Sequence, residues 1–262
     1  MESKRVVWDA AQYERFAAER ERPFHDLMAR VPDGNVREVA DLGCGTGRLT
    51  RTLRSRWPQA TIYGIDNSAE MLSQATHDDT GERLQFIEHD LGTWEPPHAL
   101  DRIISNAALH WLPDHAALLA RLVALLAPGG AIAVQMPNNR NEQPHRTLAE
   151  LIDEPRWQSR VPAQALAPGA AAPEWYVKTL RTLGLEVDLW ETFYYHQLPS
   201  AEAVIEWLKG TTLRPMLSAL EPGESSELVQ SLRERVAAIY RDGPGGIVFP
   251  FRRLFFIARR TQ

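Results

Sequence analysis

Three acidic residues and a set of alternating glycines carry the chemistry legible in this chain. Asp41 closes the apolar run Val39-Ala40 and is followed by Gly43, Gly45 and Gly47 at every second position. A helix-forming segment, Leu49 to Arg56, comes next. A strand that feeds a glycine loop and then a helix presents unpaired backbone N–H groups to a ligand. Each glycine can also take a positive φ and let the ligand lie against the backbone. Asp66, about 20 residues beyond the loop, stands where a carboxylate can accept both ribose hydroxyls. Asp90, beside Leu91, can accept from an adenine amino group next to an apolar contact. Each acid alone also reads as a cap or turn residue. Together, at the ends of successive apolar runs, they describe a nucleoside site.

The loop admits several cofactors, and its neighbours narrow them. A dinucleotide fingerprint needs a third glycine where Arg48 stands, and Asp41 does not help to hold a pyrophosphate. A P-loop is excluded because no Gly-Lys-Ser/Thr follows. A cofactor bearing a sulfonium and an ammonium group suits Asp41 better. Cys44, the single cysteine, reads as a small spacer in the loop and not as a nucleophile. The eight histidines show neither H-x-x-H nor H-E-x-x-H spacing, so no metal site is expected.

The elements that must position these residues follow from periodicity. Strands are expected at 36–41, 60–65, 84–88, 100–105 and 131–136, and helices at 47–56, 68–76 and 114–126, with Ser68 and Asp114 as N-caps. Alternation of this kind predicts a doubly wound α/β sheet, mostly parallel, with ligands at the carboxyl ends of its strands. The loop, Asp66, Asp90 and Asn106 then share one rim. Ahead of the core, 1–34 reads as a helical lid, with Pro23 as the first residue of its second helix. Behind it, 137–184 and 199–243 read as cap insertions, with one helix near 146–153 and no new core in 137–173. The long runs 185–198 and 247–258 read as closing strands that form an antiparallel edge to a sheet of seven. The whole of 1–262 is expected to be one domain, with 36–136 as the cofactor-binding core.

Composition removes other classes. Over 262 residues the net charge is −5, which gives no footprint for nucleic acid or an anionic membrane. No apolar run reaches the roughly 18 residues of a membrane span, and no signal-peptide core is visible. A cytoplasmic protein is expected, and monomer and weak dimer are both open.

Asp41-Leu42-Gly43-Cys44-Gly45-Thr46-Gly47 resembles motif I of the class I S-adenosylmethionine-dependent methyltransferases. Gly64-Ile65-Asp66-Asn67-Ser68-Ala69-Glu70-Met71-Leu72 and the run from Asp101 to Trp111 continue the resemblance, which closes its core portion at Leu126-Ala127-Pro128-Gly129-Gly130. Trp8-Asp9, Tyr13, Phe16 to Arg20, Arg22-Pro23, Thr192 to Ser200, Gly210 to Pro215 and Phe249 to Phe255 are similar to the trans-aconitate 2-methyltransferases. Thr46 and Arg48 depart from the Pro and Asn expected of those relatives. The resemblance implies a Rossmann-like fold with a helical cap. It implies S-adenosylmethionine as cofactor, held by Tyr13, Arg22, Asp41, Gly43, Gly45, Gly47, Asp66, Asn67, Met71, Asp90, Leu91, Asn106 and Trp111. It further implies methylation of a carboxylate of trans-aconitate, a small polycarboxylate, with His110, Tyr194, Tyr195, His196, Trp207, Arg214 and Arg252 as candidates for the acceptor pocket.

That chemistry asks little of a catalyst beyond aim. A carboxylate is already the nucleophile at neutral pH and needs no general base, only desolvation, orientation and cationic partners. The main competitor is a methyltransferase for a phenol, an amine or another organic acid; the phenol or amine would need a base such as His110 or His196. A nucleic-acid amino-methyltransferase is disfavoured because Ala107-Ala108 follow Asn106 where Pro-Pro-aromatic would be expected. A non-catalytic S-adenosylmethionine sensor and, less well, a nicotinamide oxidoreductase complete the alternatives.

Overall fold

A computed structural model describes residues 17–75, 83–241 and 243–261. The chain divides into two compact units. The larger holds Ala18–Pro137, Pro168–Thr192 and Arg253–Gln262; the described parts of the smaller are Asn138–Ala167 and Phe193–Arg252, with Ala17 at its margin.

In chain order the elements of the sheet are β1 (Glu38–Leu42), β2 (Thr61–Asp66), β3 (Leu84–Glu88), β4 (Leu100–Asn106), β5 (Leu126–Pro137), β6 (Leu185–Leu198) and β7 (Ile247–Arg260). They form one seven-stranded sheet in the order β3-β2-β1-β4-β5-β7-β6. The pairs β1–β2, β1–β4, β2–β3 and β4–β5 are parallel, and β7 runs antiparallel against β5. The expected mixed sheet is thus present, with β7 and β6 closing one end. Ahead of β1 lies α1 (Ala17–Met28), and between the strands lie α2 (Arg48–Arg56), α3 (Ala69–Ala75), α4 (His115–Ala124) and α7 (Pro173–Thr182). Alternate residues such as Leu42, Ile65, Ile103 and Val134 join Leu118 of α4 and Leu180 of α7 in one apolar cluster. Val39, Ile62 and Ile104, on the other face by the strand period, are buried as well. A sheet buried on both faces is what near-continuous apolar strands require.

The predicted caps are in place. Ser68 Oγ accepts from the Met71 amide at 3.3 Å, and Asp114 Oδ1 accepts from Ala117 at 3.1 Å. Pro23, expected to begin a second helix, lies inside α1. Its ring forfeits one helical hydrogen bond, while buried Phe24, Leu27 and Met28 hold the segment in place. The end of α1 is fastened by two arginines. Arg56 donates to the Met28 carbonyl at 2.5 Å and to that of Val31 at 2.6 Å, and Arg102 donates to that of Pro32 at 3.2 Å.

The smaller unit corrects the reading of 137–173. The helix expected near 146–153 is present as α5 (His145–Ile152), and α6 (Pro155–Gln158) and a 3-10 turn at Ala163–Ala165 follow it. Leu148, Leu151 and Ile152 repeat at helical spacing, and with Trp157 they join a hydrophobic core that includes Trp207, Leu228 and Phe249. The remaining elements of this core are α8 (Ala201–Lys209), α9 (Arg214–Ala219) and α10 (Pro222–Ile239). Those few apolar residues were hidden in sequence by the polar residues between them. Among the described residues, no helix is long and apolar enough to cross a membrane.

Candidate functional site

The candidate site is built on the carboxyl ends of β1, β2 and β4, where the parallel strands release their chains into loops. After β1 the backbone turns at once: the amides of Gly43 and Cys44 both donate to the Ile65 carbonyl, at 2.8 and 3.0 Å. This bends the loop over β2. Gly43, Gly45 and Gly47 all have positive φ, at 84°, 56° and 71°. Only one of them presents an open cradle. A Cβ on Gly43 would sit 2.1 Å from the Ala108 Cβ, and one on Gly47 would sit 2.4 Å from the Phe86 ring. On Gly45 it would meet only the flexible end of Met71, at 3.3 Å. Two glycines therefore serve the packing of the loop, and Gly45 leaves its backbone approachable.

The acids divide in the same way. Asp66, at the end of β2, accepts from the Gly45 amide at 2.9 Å through one oxygen and from the Ser68 amide at 2.9 Å through the other. A carboxylate has about four acceptor sites, so both oxygens retain capacity for hydroxyl donors. Burial pushes its pKa up, against the lowering pull of the Ser68, Gly45 and Asn67 amides. Asp41 is buried and accepts from Thr50 Oγ1 at 2.6 Å. Burial raises it to about 6, despite the Thr50 bond and with a further push from Asp66. A nearby cation would reverse that cost. Asp90 is exposed and uses Oδ1 to cap its own turn through the Gly92 amide at 2.8 Å. Leu91 is buried, and its Cδ1 would lie 3.7 Å from a Cβ on Gly43, so it borders the loop.

After β4 the chain passes through Ala107, whose φ of 56° is strained for a residue with a side chain. Asn106 Oδ1 is buried there with no hydrogen-bond partner. His110 follows in a 3-10 turn, Leu109–Trp111. It is buried, and desolvation together with Arg253 and His115 lowers its pKa to about 3. Its imidazole is neutral across the working pH range. Half-buried Trp111 lies against it, ring centroids 5.0 Å apart. Cys44 is a free thiol whose pKa is pushed well above the usual range by burial and then by Asp41 and Asp66.

These observations decide whether the rim fits the cationic nucleoside that the resemblance implies. The open backbone at Gly45, the spare acceptor capacity of Asp66 and the orphaned Asn106 Oδ1 match it. Asp41 and Met71 stand within the same loop cluster. Asn67 and Asp90 are exposed beside it, and Arg22 is exposed on α1. Tyr13 lies outside the described residues. Arg48, which displaces the dinucleotide glycine, forms an ion pair with Glu21 of α1, an unforeseen tie between the loop helix and the N-terminal helix.

Of the acceptor candidates in the smaller unit, Tyr194, His196 and Trp207 lie together, with ring centroids 6.2 Å apart for Tyr194–His196 and 4.9 Å apart for His196–Trp207. In β6 the burial pattern alternates, so Tyr194 and His196 point inward while Phe193 and Tyr195 point to solvent. Neighbouring tyrosines on a strand cannot share a pocket. Tyr195 is 66% exposed. His196 packs on Trp207 at 4.9 Å between ring centroids and near Phe249 and Phe251, within the smaller unit's core. Trp207 is part of that core. Arg214 is the half-buried first residue of α9. Arg252 is half-buried, with its guanidinium 5.7 Å over Phe193 and 4.0 Å from Glu142.

The residue missed is Arg253, buried in β7 with Nη1 donating to Gln135 Oε1 at 3.2 Å. Its signal was present. Ile247, Phe249, Phe251 and Phe255 are the apolar odd positions of that strand, and Arg253 is the charged residue in their register.

With this geometry in place, the chain matches a family model described as a methyltransferase domain over residues 39–130. A trans-aconitate 2-methyltransferase of Streptomyces coelicolor is 42% identical over 98% of this chain and 88% of its own length. One of Escherichia fergusonii is 43% identical over 97% of this chain and 99% of its own. Among solved structures, a phosphoethanolamine N-methyltransferase 2 of Haemonchus contortus, in complex with S-adenosyl-L-methionine, superposes with a TM-score of 0.59 at 16% identity, covering 96% of this chain and 56% of that one. The YcgJ protein of Bacillus subtilis does so at 0.59 and 13% identity, covering 91% and 99%. The strand order, the glycine loop and similarity along almost the whole chain agree, and the chain belongs to the trans-aconitate 2-methyltransferase family within the methyltransferases.

Proposed function

We infer that this protein is an S-adenosylmethionine-dependent O-methyltransferase that converts a carboxylate of trans-aconitate to its monomethyl ester. The observation that carries the reading is the extent of the similarity. It runs past the core at 39–130 that the family model matches and continues through the residues of the smaller unit.

When bound, the cofactor supplies a sulfonium methyl group that a carboxylate oxygen can take up with no proton changing hands. The chain's own task is to hold and to aim. Gly45 offers backbone, Asp66 offers acceptors for the ribose hydroxyls, and Asp41 and Asn106 Oδ1 offer negative character toward the cationic end. Leu91 and Trp111 flank the base with apolar surface. Proximity in a desolvated site accounts for the rate, since the nucleophile is ionised already.

A phenol or amine acceptor would need a base. His110, held near 3, is too weak a base to serve at neutral pH. The acidic chain and its single cysteine fit a small-molecule enzyme of the cytoplasm.

The test is incubation with methyl-labelled S-adenosylmethionine and a panel of small polycarboxylates, phenols and amines. Label in a base-labile ester of trans-aconitate is expected; label confined to a phenol or an amine refutes the acceptor.

A further inference from the structure

One face of the sheet holds polar groups that its own hydrogen bonds do not satisfy. Asn106 and Gln135 stand opposite each other across β4 and β5. Gln135 faces Phe255 across β5 and β7, which makes Arg253 its diagonal neighbour. The register therefore puts these three side chains on one face. His110 lies in the 3-10 turn Leu109–Trp111, which packs against β5, and Arg253 is close enough to act on its charge. Gln135 is 0% exposed, Arg253 3% and His110 8%. Arg253 Nη1 donates to Gln135 Oε1 at 3.2 Å, while Gln135 Nε2 and His110 Nδ1 are buried with no hydrogen-bond partner. An unmade hydrogen bond at such burial leaves the desolvation of the group uncompensated, and a native fold tolerates the loss where a ligand makes it good.

The chemistry of the group selects that ligand. An amide NH2, an imidazole nitrogen able to carry a proton and a guanidinium are buried on or beside this face, and a carboxylate is an acceptor-only anion that takes donors of this kind. Arginine adds the planar fork that matches a carboxylate's two oxygens. The orphan at Asn106 is an oxygen, which suits a cation instead, so the rim changes sign over one strand pair.

We propose that Gln135, His110 and Arg253 form an anion site that grips a carboxylate of the acceptor other than the one being methylated. This rests on the acceptor reading above. The site selects polycarboxylates: a molecule with one carboxylate cannot both fill it and present a nucleophile.

Three measurements on the full chain test it. Gln135→Glu is nearly isosteric and places a carboxylate beside Arg253, so it should raise KM for trans-aconitate at least 30-fold while the cofactor Kd by calorimetry stays within twofold. Arg253→Gln should do the same, with Arg253→Lys recovering part of the loss. In the unmutated protein with S-adenosylhomocysteine, adding trans-aconitate should shift the His110 ring-nitrogen NMR signals, a readout that does not depend on either variant folding. An unchanged KM in Gln135→Glu, a parallel loss of cofactor affinity, or an unmoved His110 signal at saturating trans-aconitate overturns the proposal. If the unmutated protein neither binds nor methylates trans-aconitate, the acceptor reading fails first and this site fails with it.

Discussion

The Asp66 carboxylate accepts the Gly45 amide at 2.9 Å, so the acid at the end of β2 and the turn after β1 form a single hydrogen-bonded unit. The same carboxylate takes the Ser68 amide at 2.9 Å and so fixes the start of α3 as well. If Asp66 binds the cofactor as proposed, ligand recognition and loop shape are coupled through one side chain.

Asp66→Asn tests that coupling. The amide keeps one oxygen but turns the other into a donor that faces a backbone N–H. Loss of a charged hydrogen bond is worth about 1.5–3 kcal/mol, which corresponds to a cofactor Kd raised about tenfold to a hundredfold. Calorimetry with S-adenosylhomocysteine reads this directly, and an unchanged Kd would remove Asp66 from the site.

The glycines separate shape from contact. Gly47→Ala forces a side chain into a positive φ and against the Phe86 ring, with strain and overpacking together costing about 3 kcal/mol. Gly45→Ala also takes a positive φ but meets only the end of Met71, a cost of about 1 kcal/mol. The thermal midpoint of apo protein should fall by several degrees for Gly47→Ala and little for Gly45→Ala. Cofactor affinity should rank the other way once normalised to folded protein. Equal effects of the two changes on both readouts would contradict the division of roles.

Asp41 carries a charge that burial disfavours. Its folded pKa, about 6, lies above the ordinary value of 3.8 because burial disfavours the charge. A raised acid contributes stability that is complete below the unfolded pKa and is lost as pH rises through the folded one. The carboxylate therefore costs apo protein on the order of 3 kcal/mol above pH 6 and less at pH 5. Asp41→Asn, whose oxygen can still accept from Thr50, should raise the apo thermal midpoint more at pH 7.5 than at pH 5, and should weaken cofactor binding. A lower midpoint at both pH values would mean that the lost Thr50 geometry outweighs the relief of the buried charge.

Much of the rim was legible because its signals are local. Glycine spacing, an acid at a strand end and a capping serine depend on backbone geometry within a few residues, and Asp41, Gly45, Asp66 and Ser68 lie where the pattern put them. The acceptor side was harder. Strand alternation shows that Arg252 and Arg253, or Tyr194 and Tyr195, point to opposite faces. Which of them points inward depends on partners far away in sequence, such as Gln135. For β7 the apolar odd positions held that answer. For 138–167 the short-range pattern reached only the helix α5, because the later apolar residues Trp157, Val161 and Ala165 acquire meaning only against Trp207 and Phe249. Pro23 inside α1 is a further case in which tertiary packing overrides a local rule.

Methyl transfer to an ionised carboxylate needs no base, and the pH dependence of kcat is the sharpest readout of that chemistry. With cofactor and trans-aconitate both saturating, kcat should be independent of pH from about 6.5 to 9, since the acceptor carboxyls are ionised throughout and His110 is neutral throughout. A tenfold rise in kcat per pH unit anywhere in that range would report an essential base and would contradict unassisted attack by the carboxylate.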